Sequence, residues 1–195
     1  LKPGLPPGFA FHVAMDQSDM VQKVARRTVD NAWQGGLLAI LLIFLFLRNW
    51  RPTLTIALSI PLSVIATFIS FYAAGYTLNM LTLGGLTLGV GMLVDNAIVV
   101  IENTFRHVEE GDDRKKASIL GASEVGMAIT ASTLTTIVVF LPMIFAQGIT
   151  GKLTRSLALS ITFSLVSSLF VALTIVPLLS YLLLKARRKN GAAGA

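Results

Sequence analysis

Leu88-Gly-Val-Gly-Met-Leu-Val-Asp95-Asn-Ala-Ile-Val-Val-Ile101 is apolar enough to lie inside a membrane, yet it carries a carboxylate. Upstream of Asp95 the nearest formal charge is Arg51, and downstream it is Glu102. The uncharged run 52–94 is 43 residues long, about twice the ~20 needed for one helical crossing. An acid at bilayer depth costs roughly 2.5–3.5 kcal/mol on the lenient insertion scale, so a chain that keeps one there is read as using it. The usual use is to carry a proton or an ion.

Composition supports that reading. Hydrophobic residues make up 54% of the 195 positions and charged residues 13%, about half the share in soluble domains. Mean hydropathy is +0.74. The net charge of +6 does not point to nucleic acid, because the basic residues cluster in short segments between apolar runs. There are no cysteines, which excludes disulfides and thiolate metal sites. His12 and His107 have no partners at metal-ligand spacing.

Outward from Asp95, the sequence divides into five apolar helices. Residues 1–18 are rich in Pro and Gly and read as the end of an extracytoplasmic segment, with a short strand at Phe9-Ala-Phe-His-Val-Ala-Met15. A long helix over 19–47, capped near Ser18 or Asp19, becomes the first span. Arg48-Asn-Trp-Arg51 is a basic turn with an interfacial Trp. Gly75-Tyr-Thr77 and Asn79 separate a second span at 53–74, with Pro61 inside it, from a third at 78–105 that holds Asp95. A charged connector occupies 106–120, and its second half is expected to begin a short interfacial helix capped by Asp112 or Asp113. Spans four and five follow at 122–146 and 153–185, and a tail at 186–195. The chain opens on Leu1 rather than Met, so a longer protein with a further span upstream is expected.

Basic residues set the orientation. Arg48, Arg51, Arg106, Arg114, Lys115, Lys116, Lys185, Arg187, Arg188 and Lys189 fall on one side, against Lys152 and Arg155 on the other. The connector and the C-terminal tail are therefore expected in the cytoplasm, and the N-terminal segment and the loops near Gly75 and Gly148 outside. Lys23, Arg26 and Arg27 oppose this unless they stand above the bilayer.

Asp95 lies eleven residues before Arg106, about 16 Å along a helix and so near the membrane midplane. Gly84, Leu88, Gly91, Asp95 and Glu102 share one face. Gly85 and Gly89 form a Gly-x-x-x-Gly pair beside it, which permits close approach of another helix. An acid that alternates between an apolar pocket and a cationic neighbour takes up and releases a proton. The blander alternative is a protonated Asp95 that only hydrogen-bonds a neighbouring helix, for example through a Thr of the fourth span. Asn96 cannot titrate, and an interhelical hydrogen bond is expected of it. Glu102 and Asn103 are expected to be solvated or capping. Thr130 and Thr133, on the hydroxyl-rich fourth span, read mainly as packing and secondarily as a polar path. No cofactor is indicated, and protons are the expected coupling ion.

Gly91-Met-Leu-Val-Asp-Asn-Ala-Ile-Val-Val-Ile-Glu-Asn103 closely resembles the fourth transmembrane helix of resistance–nodulation–division (RND) efflux transporters. Leu45-Phe-Leu-Arg-Asn-Trp-Arg-Pro-Thr-Leu54 is similar to the junction of their second and third helices, Ser132-Thr-Leu-Thr-Thr-Ile-Val-Val-Phe-Leu-Pro-Met143 to the fifth, and Ala172-Leu-Thr-Ile-Val-Pro-Leu-Leu179 to the sixth. Leu5-Pro-Pro-Gly8 with Asp16-Gln-Ser18 resembles the exit from the first extracytoplasmic domain. The resemblance implies an all-α membrane fragment comprising helices two to six of a twelve-helix proton antiporter of the bacterial inner membrane, closest to the hydrophobe-amphiphile branch. It implies a homotrimer when full length, a periplasmic adaptor, an outer-membrane channel, and basic relay residues on the second half. It implies Asp95 as proton relay. Drug exporters of the better-known type have a second adjacent acid, where this chain has Asn96, so the correspondence fails there. Metal exporters also keep only the first acid, which leaves heavy-metal export open; a separate alternative is an accessory membrane subunit, such as a relative of the protein-translocation branch of the same superfamily. An intramembrane aspartyl protease is a distant rival: Gly89-Val-Gly91 precedes Asp95 at the wrong spacing, and a second membrane aspartate to share the proton is missing.

Overall fold

The computed structural model describes residues 17–184, and these form five long α-helices with no strand among them. They are α1 (Gln17–Leu47), α2 (Trp50–Ala73), α3 (Met80–Glu110), α4 (Arg114–Phe145) and α5 (Gly148–Leu183). All five contain a stretch long and apolar enough to cross a membrane. The expected all-α, five-span architecture is therefore observed. Helices are what an apolar chain must form in lipid, because each backbone N–H and C=O has to find its partner within the segment. The strand expected within 1–18 and the tail at 186–195 lie outside the described residues.

The helices are longer than the expected spans, and the connections other than that between α2 and α3 are correspondingly shorter. The basic turn at 48–51 is reduced to Arg48 and Asn49, with Arg48 at φ 49° and Trp50 already helical. Asn79 starts α3 with a capping box: its side chain accepts from the Leu81 and Thr82 amides, while the Thr82 hydroxyl accepts from the Asn79 amide. The connector expected at 106–120 is mostly helix. α3 runs on through Arg106–Glu110 and stops at Gly111, whose φ of 98° is left-handed and suits glycine. α4 restarts at Arg114 with Asp113 as cap and continues unbroken to Phe145, so the expected interfacial helix and the fourth span are one element. Charged residues end a membrane crossing but not a helix, since Arg, Lys and Glu are good helix formers. At 1.5 Å per residue the 31 residues of α3 span about 46 Å, against a hydrocarbon core of about 30 Å. The surplus falls on the charged end of α3, and α4 likewise begins with a charged stretch.

α5 is the central support. It packs against α2, α3 and α4, most extensively against α3. Ile56, Ala97, Val100, Ile101, Ala117, Val171, Ala172 and Val176 form the principal core. Many buried hydroxyls in these helices donate to the carbonyl one turn back, as Thr67 does to Ser63, Thr104 to Val100, Ser164 to Ser160 and Ser180 to Val176. That satisfies them where water cannot.

Candidate functional site

Asp95 is the sixteenth of the 31 residues of α3, at the midpoint of the helix. Its side chain is exposed on the surface of the five-helix unit, at the wall of a cleft of about 490 Å³ between α1 and α3. Gly35, Ala39 and Leu42 of α1 and Gly91, Val94 and Ile98 of α3 line the same cleft. Higher in it stand the polar side chains of Asn31 and Thr87, and Thr87 hydrogen-bonds Thr28 of α1 at 2.7 Å. Among the described residues no hydrogen bond or ion pair reaches the Asp95 carboxylate. Among these residues it is thus neither held by a Thr of α4 nor neutralised by a base.

The face expected from helical spacing exists. Leu88, Gly91, Asp95 and Glu102 are all exposed, and a Cβ added at Gly84 or Gly91 would meet nothing within 4 Å. The neighbouring glycines do the opposite. A Cβ at Gly85 would lie 2.7 Å from the Leu157 carbonyl oxygen and from Ser160 Cβ, and one at Gly89 would lie 2.6 Å from Ser164 Cβ. The Gly85–Gly89 pair is therefore the seam that admits α5, while Gly84 and Gly91 keep the Asp95 face open.

Asn96 points the other way. It is 9% exposed, donates from Nδ2 to Thr133 Oγ1 at 3.1 Å, and accepts from the same hydroxyl at 3.4 Å. Asn96 thus joins α3 to α4. Thr133 belongs to that pair, and Thr130 donates to the Gly126 carbonyl of its own helix. Neither hydroxyl is brought to Asp95.

Comparison with known proteins gives the same frame. The sequence model described as the AcrB/AcrD/AcrF family matches residues 1–194. The chain belongs to this family. It is 38% identical over 190 residues to the multidrug resistance protein MdtC of Pectobacterium atrosepticum, a match covering 97% of this chain and 18% of that protein. It is 36% identical over 188 residues to MdtC of Escherichia coli (strain K12), covering 96% and 18%. The chain spans about a fifth of the length of these relatives. The resemblance to RND transporters is borne out.

This AcrB/AcrD/AcrF family member has a second polar cluster, where α3 turns into α4. Asn103, expected to be solvated or capping, is instead buried and donates to the Gly121 carbonyl at 3.0 Å and to Glu124 Oε2 at 2.9 Å. His107, which has no reading from sequence beyond its lack of metal partners, is 8% exposed. Its Nδ1 faces Asp112 Oδ2 at 3.1 Å and its Nε2 faces Glu124 Oε2 at 3.0 Å. Arg106 Nη2 reaches the same Glu124 oxygen at 3.4 Å, and Lys116 Nζ holds Asp112 Oδ1 at 2.8 Å. The hydrogen bond to Glu124, with help from Asp112, raises the His107 pKa above its ordinary value despite burial. Lys116, with His107, holds the Asp112 carboxyl below its ordinary value. Glu102, as expected, is exposed. The local signal for the cluster was weak: a His beside a charged turn, with its partner a helix away.

Proposed function

We propose that this chain is part of the membrane domain of a proton-driven RND exporter of drugs or other small amphiphiles, with Asp95 as the acid that carries the proton. One observation supports this most: the carboxylate lies at mid-helix, on a face that the chain's own helices leave open, beside a cleft. A base placed against that face by the remainder of the transporter would favour the ionised form, and its withdrawal the protonated form. Moving one charge through the full membrane potential supplies about 2.3 kcal/mol per 100 mV, enough to bias the packing of α3 against its neighbours. Uptake from outside and release to the cytoplasm would then drive the extracytoplasmic domains through their cycle. The protein would reside in the bacterial inner membrane, as a trimer working with a periplasmic adaptor and an outer-membrane channel. Its activity would be secondary antiport, with no cofactor.

The name "multidrug resistance protein" carried by the relatives favours drugs over heavy-metal cations as cargo. Asn96 is locked to Thr133, so in this reading Asp95 titrates without an adjacent partner acid. A protease would need a second carboxyl to act as acid while the first acts as base, and among the described residues the Asp95 cleft is lined by one.

The test is Asp95→Asn in the full-length transporter, reconstituted with an imposed pH gradient. Export should fall to background while the protein remains folded and assembled. Undiminished export would remove Asp95 from the mechanism.

A further inference from the structure

The end of α3 is tied to α4 by four contacts stacked along one seam. From the membrane centre outward they are the Asn96–Thr133 hydrogen bonds, Gly121 pressed against Thr104, Asn103 on the Gly121 carbonyl and Glu124, and His107 between Glu124 and Asp112. Only the last of these can change charge through the imidazole range of pH. We propose that His107 is a proton-dependent clasp: as imidazolium it fastens the end of the Asp95-bearing helix to α4, and on losing its proton it lets that end go.

The chemistry follows from the two ring nitrogens. Each faces a carboxylate oxygen at hydrogen-bond distance, and a carboxylate only accepts. A neutral imidazole donates from one nitrogen and presents a lone pair from the other, so one of the two contacts becomes repulsive. Imidazolium donates to both. The site is closed tightly enough for this to matter, because the ring is buried and the α3–α4 connection is only Gly111, Asp112 and Asp113. Around the ring, α3 contributes Glu110 at 3.9 Å from Nδ1 and, beyond it, Arg106; the connection contributes Asp112; α4 contributes Glu124 and Lys116. α5 brings Tyr181, which lies under the Arg114 guanidinium, and its cations Lys152 and Arg155 are at its far end. Arg48 and Arg51 are the charges that the α1–α2 turn brings to this side of the bundle. The nearest groups on both ring nitrogens are anionic, which agrees with the raised pKa of the ring.

The sign is that of a histidine whose folded pKa is raised. The clasp is fully engaged below the ordinary value of about 6.5 and disengages as pH rises through the higher folded value. With the orientation of the proposed function, the pH sensed is that of the cytoplasm. His107 and Glu124 would then be positioning residues for Asp95, 12 and 29 positions from it in the chain and joined to it through α3. That link rests on the proposed function; the clasp itself does not.

The experiment uses the full-length transporter in nanodiscs, spin-labelled at Glu109→Cys on α3 and Ser123→Cys on α4. Distances are measured by pulsed electron resonance from about pH 6 to about pH 9, the range in which a perturbed histidine titrates. Wild type should pass from a narrow to a broader, longer distribution along a one-proton curve. His107→Gln should show the broad distribution at every pH. Glu124→Gln, which removes one anionic partner, should move the midpoint down by about one unit or more. Transport by wild type should fall at alkaline pH on the cytoplasmic face, with His107→Gln insensitive to it. A wild-type distribution that does not change, or changes identically in both variants, overturns the proposal; if His107→Gln fails to fold, the Glu124→Gln midpoint decides alone. A titrating clasp beside undiminished export by Asp95→Asn would leave the clasp standing and reject the proton-carrier reading. Loss of export in Asp95→Asn with a pH-independent distance would do the reverse.

Discussion

Two adjacent residues on α3, Asp95 and Asn96, differ by one atom of acid–amide chemistry and by about 100° of helical rotation, and the structure separates them completely. Asn96 is closed in by Thr133, whereas Asp95 opens on the α1–α3 cleft. An amide buried in a bilayer needs a partner and an acid needs water or a base, so each occupies the face that supplies it. Hydrogen bonds between membrane helices average about 0.6 kcal/mol with a maximum near 1.7. Thr133→Val should accordingly lower stability by about 0.5–1.5 kcal/mol in detergent-mediated unfolding of the transporter. A double-mutant cycle with Asn96→Leu should assign most of that loss to the pair. Asp95 was legible from sequence because one charge in a long uncharged run is a signal carried by a single residue. Asn103 and His107 were not, because what defines them is Glu124, 21 and 17 positions away.

Between elements, glycine position decides which helix lies where. Gly121 is pressed against the backbone of Thr104, 2.5 Å from Thr104 Cα to a Cβ built on it, whereas a Cβ at Gly126 would make an ordinary 3.5 Å contact with Leu173. Gly121→Ala should therefore cost about 1–3 kcal/mol through overpacking, read as a lowered melting temperature of the full-length transporter. Gly126→Ala should stay within about 0.5 kcal/mol. Equal effects would mean that α3 and α4 are not packed as described. The Gly-x-x-x-Gly spacing of Gly85 and Gly89 announces a close helix contact in the sequence. That the visitor is α5, through Ser160 and Ser164, is a property of the tertiary arrangement. The same holds for the connector: its charges interrupt the apolar sequence, but only Gly111 and Asp113 end one helix and begin the next.

For the molecule as a whole, orientation is the property most open to test. Positive charge gathers in the α1–α2 turn, at the end of α3 and at the starts of α2 and α4, and the positive-inside rule predicts that this side faces the cytoplasm. Trp50 stands at that edge with the Arg51 guanidinium 5.4 Å from its ring centre, a pairing suited to the headgroup region. The chain has no cysteine, so single introduced thiols report cleanly once cysteines elsewhere in the transporter are replaced. Ala74→Cys should react with a membrane-impermeant maleimide added to intact cells from the periplasmic side. Lys115→Cys should react only after the inner membrane is breached. The opposite pattern would invert the topology and place the His107 clasp outside.

The number of long apolar helices, the mid-helix position of Asp95 and the face it occupies are already set by the sequence, because they follow from apolar length and helical period, quantities that run along one chain. The openness of that face, the closure of Asn96 on Thr133, and the burial of His107 between two carboxylates were decided only by folding. Each depends on which helix lies opposite, and apolar stripes of equal hydrophobicity do not specify their partners until side-chain volume and hydrogen-bond geometry select among them.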